Sequence, residues 1–226
     1  MKLLSSLSRN QRESIGLLQI GTFLEYFDLM LYVHMAVLLN ELFFPKTDRH
    51  IAALISAFAF CSTYLLRPLG AILFGWIGDN IGRKATVILT TIMMSVSCVI
   101  MANVPTYAQI GISAAWVVTF CRIIQGLSSM GEIIGAEIYL TETIETPARY
   151  PVVGLIGCAA AVGSLFALFI ASLTTSSGFN WRTAFWIGAC IAVVGSIART
   201  RLRETSEFIN AKKHLKTLGR NKHESV

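Results

Sequence analysis

Glu25 and Asp28 lie three residues apart in GLLQIGTFLEYFDLMLYVHMAVLL (16–39), a run otherwise apolar enough to cross a bilayer. On a helix this spacing puts both carboxylates on one face, and Tyr32 follows Asp28 by four residues on the same side. A charge inside such a helix costs about 2.5–3.5 kcal/mol on insertion scales, so ionisable groups kept there mark ion pathways, proton relays or buried pairs. Arg122, in a later apolar run, is the matching cation. Counted from the starts of their runs, Glu25 lies about 15 Å deep and Arg122 about 20 Å, both near the middle of a hydrocarbon core about 30 Å thick. Low dielectric favours a neutral carboxyl and a nearby arginine favours an ionised one; a group balanced between the two can carry a proton. The alternative is a static ion pair between helices. His34, nearer the outer end and about 120° round the helix from Asp28, reads as a lipid-boundary or packing residue.

The elements that must position these groups are apolar helices. Of the 226 residues 54% are hydrophobic and 14% charged, and the mean hydropathy is +0.61, which excludes an ordinary soluble domain and indicates a polytopic membrane protein. The first run is long and acidic in its middle and lacks a small-residue cleavage site, so it is expected to be retained as a span. Six segments are long enough to cross: 15–40, 51–74, 85–103, 109–134, 152–173 and 183–200. With the N-terminus inside, fourteen of the nineteen Lys and Arg residues fall on inner segments, eight of them between Arg199 and Lys222; both termini are therefore expected to be cytoplasmic. The organisation expected is a short N-terminus (1–14), a six-helix transmembrane domain (15–200) and a basic tail (201–226), a flank lying against anionic headgroups that includes a short amphipathic helix. Nucleic acid is not an expected partner. The six runs divide three plus three. Runs 1 and 4, which open the triplets, hold most of the buried charge, as in transporters built from inverted three-helix repeats.

Cys61, Cys98, Cys121, Cys158 and Cys190 fall in different apolar runs without a CxxC, which argues against a disulfide framework or zinc site and for small apolar helix residues. No nucleophile elbow, HExxH or phosphate loop is present, so no enzyme is expected, and no cofactor beyond the proton as coupling ion. In RPLGAILFGWIGDNIGRKATVIL (67–89), Gly75, Gly78 and Gly82 permit a tight turn and close helix approach. Asp79 can cap the next helix or pair with Arg83, and Arg83 with Lys84 pins the loop to the inner face.

GWIGDNIGRKATVIL resembles the signature loop G-x-x-x-D-[RK]-x-G-[RK]-[RK] between spans 2 and 3 of the major facilitator superfamily. LEYFDLMLY, RPLGAILFGWIGD, RIIQGLSSMGEIIGAE and RLRETSEF resemble motifs of its metabolite:proton symporter family, in order along the whole chain. The resemblance implies an all-α fold of six transmembrane helices, the N-terminal half of the major-facilitator architecture. It implies proton coupling by Glu25, Asp28 and Arg122, and a substrate cavity holding Tyr32, Arg67, Gln125 and Ser129. It further implies a cytoplasmic gate loop of Gly75, Asp79, Gly82, Arg83 and Lys84, and a span-4 motif completed by Gly126 and Glu132. Asn80, Met130 and Ser206 depart from the family pattern; Met130, in place of a second glycine, is expected to crowd a helix crossing. The activity implied is symport of a small polar metabolite or osmolyte across a bacterial inner membrane. Superfamily carriers have twelve spans, so this chain is expected to be a half-length or truncated carrier that joins a second-half chain or a second copy. The alternative is a non-transporting remnant or a membrane regulatory subunit.

Overall fold

The computed structural model describes residues 7–44, 54, 57, 58, 61, 63–176 and 180–214, and all regular structure among them is helical. α1 (Arg9–His34) starts with a capping box: Ser8 Oγ accepts from the Gln11 N–H at 3.3 Å, and Gln11 Oε1 accepts from the Ser8 N–H at 2.9 Å. α2 (Ala36–Phe43) follows at a 70° bend. The first span is therefore not the continuous helix over 15–40 that hydropathy suggests. Met35 leaves helical geometry (φ −97°, ψ 5°), and the turn seats Leu39, Phe43 and Phe44 in an apolar cluster with Phe185 and Met101. Burial of three large side chains offsets the lost helical continuity.

The second span is described chiefly by α3 (Arg67–Asn80), because most of 45–62 lies outside the described residues. Then come α4 (Arg83–Asn103), the short α5 (Tyr107–Ile110) in the turn before the fourth run, α6 (Ile112–Thr143), α7 (Arg149–Ser176) and α8 (Trp181–Arg199). Residues 206–214 form a further helix in the basic tail. Among the described residues α4, α6 and α7 are each long and apolar enough to cross a membrane, and α1 with α2 makes a fourth such unit; α8 is a shorter apolar helix.

α1 packs mainly on α7 and also on α8; α6 packs on α3 and α4; α4 meets α8. Exchanging the two triplets would map the α1–α7 contact onto α6–α3, α1–α8 onto α6–α4, and α4–α8 onto itself, so the packing pattern is the one an inverted three-helix repeat requires. The two equivalent contacts use the same device. A Cβ on Gly163 of α7 would strike the Phe23 carbonyl of α1, and one on Gly70 of α3 would strike the Leu127 carbonyl of α6, so glycine sets how closely these backbones approach. One apolar cluster, around Phe27, Met35 and Phe185, closes one end of the bundle. Another, around Leu18, Tyr139 and Val152, closes the other. The buried charged side chains Glu25, Asp28, Arg122, Glu132 and Arg199 lie between them.

Candidate functional site: a buried layer of arginine–carboxylate pairs

Three helices carry the layer that the motifs point to. α1 presents Glu25 and Asp28, α3 begins with Arg67, and α6 presents Arg122, Gln125 and Ser129. Asp28 and Arg122 are paired: Arg122 Nη1 donates to Asp28 Oδ2 at 3.2 Å and to Gln125 Oε1 at 2.9 Å. The guanidinium lies over the Tyr32 ring, 4.1 Å from its centroid, a cation–π contact strengthened by desolvation. Glu25 takes a different partner. Arg67 Nη2 donates to Glu25 Oε1 at 3.2 Å, and this arginine is 18% exposed where Arg122 is 1% exposed. Arg122 thus does not serve both acids, as the depth estimate suggested. One turn of helix separates Glu25 from Asp28, and each meets the arginine at its own level.

Several polar atoms in the layer are buried without a hydrogen-bond partner among the described residues: Glu25 Oε2, Tyr32 Oη, Arg67 Nε, and Arg122 Nε and Nη2. Glu25, Asp28, Arg67, Arg122, Gln125 and Ser129 border one cleft of about 10 Å³, enough for a water molecule and nothing larger. Tyr32, Gln125 and Ser129 are each at most 2% exposed. They belong to the packed interior of this helix set and do not open onto a substrate-sized space; of the expected cavity residues, Arg67 alone reaches toward an outer face.

Two neighbours escaped the sequence reading. The Cys98 thiol, taken as a small apolar group, donates to Asp28 Oδ1 at 3.5 Å. Arg199, counted with the cytoplasmic flank, is fully buried. Its guanidinium pairs with Glu132 and Thr91 and donates to the Leu17 and Leu18 carbonyls of α1 at 3.0 Å each. Glu132 also accepts from Thr90 at 3.1 Å and Thr91 at 2.9 Å. Gly126 completes the α6 motif sterically, for a Cβ there would lie 2.5 Å from the Thr63 carbonyl oxygen. Met130 is half-buried at the α3–α6 crossing beside Ala71 and Phe74, and the closest approach there is at the next residue, Gly131, whose Cβ would meet the Phe74 ring at 2.6 Å.

The α3–α4 loop takes the second of the two options its sequence offered for Asp79. Asp79 pairs with Arg83 at 2.7 Å but does not cap α4. The cap comes from the segment after α8: Glu204 Oε1 accepts from the Arg83 and Lys84 N–H groups at 3.0 and 3.2 Å, satisfying two donors at the positive end of the helix. Gly82, with φ 145°, makes the turn, and a Cβ on it would collide with the Glu204 carboxylate. Arg83 Nε donates to Glu142 at 3.1 Å, and Thr205 Oγ1 donates to the other Glu142 oxygen at 2.6 Å. Gly75 has open space around its Cα and makes no close helix approach.

An all-helical bundle of apolar helices with arginine–carboxylate pairs sealed between apolar ends defines a half-length, membrane-embedded domain. The chain belongs to the sugar (and other) transporter family of the major facilitator superfamily, whose family model matches residues 17–222. Over 213 residues it is 34% identical to the inner membrane metabolite transport protein YhjE of Escherichia coli (strain K12), covering 87% of this chain and 47% of that protein. It is 30% identical over 208 residues to a proline/betaine transporter of Salmonella typhimurium, covering 87% of this chain and 41% of that protein. The D-xylose-proton symporter crystal structure matches with a TM-score of 0.77 at 16% identity, over 92% of this chain and 52% of that chain. At that identity the likeness shows the fold alone. The chain spans about half the length of the curated relatives it matches.

Proposed function

We propose that this chain is the N-terminal half of a proton-coupled carrier for a small polar metabolite or osmolyte, with both termini cytoplasmic and a six-helix partner, a second-half chain or a second copy, completing the transport path. The relatives named as metabolite and proline/betaine transporters support the substrate class. The observation that carries the coupling is the state of Glu25: one oxygen is held by a single, partly exposed arginine, and the other has no hydrogen-bond partner among the described residues.

Arg67 is the link. A substrate carboxylate arriving at the outer face competes with Glu25 for its guanidinium. Once Arg67 turns toward substrate, Glu25 is left without a counter-ion in low dielectric and takes up a proton. Substrate and proton then bind together, which is the thermodynamic condition for symport. Asp28, held by Arg122 and Cys98, takes no part in this step and keeps Arg122 in place. Glu25, Asp28 and Arg122 are thus the coupling group, with Arg67 as the substrate-facing member. Tyr32, Gln125 and Ser129 shape the buried side, and Gly82, Asp79, Arg83 and Lys84 form the hinge of a gate at the cytoplasmic end.

The test is uptake of labelled proline, betaine and α-ketoglutarate into vesicles containing the purified chain, with an imposed pH gradient. Gradient-dependent uptake lost in both Glu25→Gln and Arg67→Ala is the expected result. Uptake that ignores the gradient, or survives Glu25→Gln, refutes the coupling. Absence of uptake from the folded chain refutes an autonomous carrier; recovery on co-reconstitution with a second-half chain then separates a half-carrier from a regulatory subunit.

A further inference from the structure

Glu132 and Arg199 lie outside the coupling group, yet both are buried and both touch α1 where a side chain is missing. A Cβ on Gly21 would strike the Arg199 guanidinium and the Glu132 carboxylate at once. Gly21 precedes Glu25 by four residues, one helical turn, so this pair sits about 6 Å below Glu25 on the same face of α1. A second buried guanidinium is therefore within a turn of a carboxylate with one oxygen that has no hydrogen-bond partner among the described residues. It does not bond to it, because its donors are committed: to Glu132, to Thr91, and to the Leu17 and Leu18 carbonyls.

We propose that Glu132 is a positioning residue for proton coupling: it sequesters Arg199 and so keeps that cation from claiming this oxygen of Glu25. The inference rests on the reading of Glu25 as the proton carrier. Arg67 at the start of α3, Arg122, Gln125 and Ser129 on α6, and Asp28 on its own helix border the same cleft as Glu25, while Glu132 of α6 and Arg199 at the end of α8 lie a turn below it, against Gly21. α4 brings Met94 and Cys98, the latter bonded to Asp28, and α7 carries no charged residue after Arg149. Arg67 is the counter-ion that exchanges. Arg199 is a permanent cation, and if it were free to bond Glu25 it would hold that carboxylate ionised whatever Arg67 did. The Thr90 and Thr91 hydroxyls and the Arg199 guanidinium all converge on Glu132, and this charge-assisted contact fixes its hold on Arg199.

The experiment uses the full chain in lipid vesicles with dicyclohexylcarbodiimide, an apolar reagent that reacts with protonated carboxyls in membranes, and reads modified residues by mass spectrometry at one fixed pH. In the unaltered chain Glu25 is labelled and Glu132 is not. Glu132→Gln leaves Arg199 uncompensated beside Glu25 and lowers Glu25 labelling by about tenfold or more. Glu132→Gln with Arg199→Gln removes both charges and restores it, whereas mere loosening of the helix packing would be worse in the double variant. Glu132→Asp keeps the charge and labels near the starting level. Unchanged or increased Glu25 labelling in Glu132→Gln overturns the proposal, as does a double variant that stays low. If Glu132→Gln does not insert, the unaltered chain decides: labelling of Glu132 as fast as Glu25 shows that it is not a fixed counter-ion. A chain in which Glu25 is never labelled overturns the proton-carrier reading itself, a result distinct from labelling that is present but indifferent to Glu132.

Discussion

Removing the Glu204 carboxylate should unfasten the start of α4 without touching the helix interior. Glu204 Oε1 accepts from the Arg83 and Lys84 N–H groups at 3.0 and 3.2 Å and from the Thr205 N–H at 3.1 Å. Hydrogen bonds to a charged group contribute about 1.5–3 kcal/mol each where buried, and loss of a helix cap costs about 0.5–2 kcal/mol. Glu204 is half-buried, so the lower part of these ranges applies, about 2 kcal/mol for Glu204→Ala. Every 1.4 kcal/mol is roughly a factor of ten in a local opening equilibrium, so amide hydrogen exchange at Arg83 and Lys84 should quicken about thirtyfold. Amides between Thr90 and Cys98, bonded within α4, should not change. Glu204→Gln keeps an acceptor oxygen but loses the charge, and should show about half the effect in free energy.

The same geometry fixes a second-order result. Gly82→Ala meets two penalties, a backbone at φ 145° and a collision with the Glu204 carboxylate. Deleting the carboxylate removes the collision and leaves the backbone strain, so the double variant Gly82→Ala with Glu204→Ala should cost less than the two single changes added. Exchange at Arg83 and Lys84 that ignores Glu204→Ala, or strict additivity in the double variant, would refute the cap and with it the idea that the segment after α8 holds the α3–α4 loop.

Arg122→Gln leaves Asp28 buried with only a thiol and a neutral amide nearby, and should lower stability in detergent by about 3–5 kcal/mol; adding Asp28→Asn should recover most of that, and a thermal or denaturant melt showing no recovery would reject the pair as a unit. Gly163→Val drives a side chain into the α1 backbone at Phe23 and should cost about 1–3 kcal/mol, whereas Gly157→Ala, into open space, should be near neutral; equal melting temperatures for the two would deny that Gly163 sets the α1–α7 approach.

The carboxylates of α1 were legible because two acids at helical spacing inside an apolar run are an anomaly that packing alone does not explain, and the runs themselves outlined the helices. Their partners were not. Depth along a helix places Glu25 and Arg122 near the same level but says nothing of which side of α1 each neighbouring helix crosses, and crossing depends on where Gly70 and Gly163 let backbones close up. The bend at Met35 was invisible for a related reason: hydropathy sums over residues 15–40 whether they lie in one helix or two, and only the tertiary seat of Phe43 and Phe44 decides. The burial of the cavity residues followed from the same cause, since a helix face rich in polar groups can line an opening or close on a neighbour with one and the same sequence.

Arg199 differs from these, because a signal for it existed. At the end of an apolar run, an arginine that snorkels to headgroups and one that folds back into the bundle have identical local sequence. Charge balance distinguishes them. Inside the six runs stood three carboxylates, Glu25, Asp28 and Glu132, and away from the ends of the runs only two arginines, Arg67 and Arg122, with Arg199 next to the last residue of the run 183–200. An unpaired carboxylate in a bilayer is costly enough to demand a third cation, and Arg199 was the arginine at the edge of a run nearest to supplying it. Gly21 marked the destination, as the residue one turn from Glu25 whose missing side chain leaves room for a guanidinium. Pair-counting within apolar runs, followed by a search of their ends for the missing charge, finds such residues before any coordinates exist, and it finds them through the energetics that keep them buried.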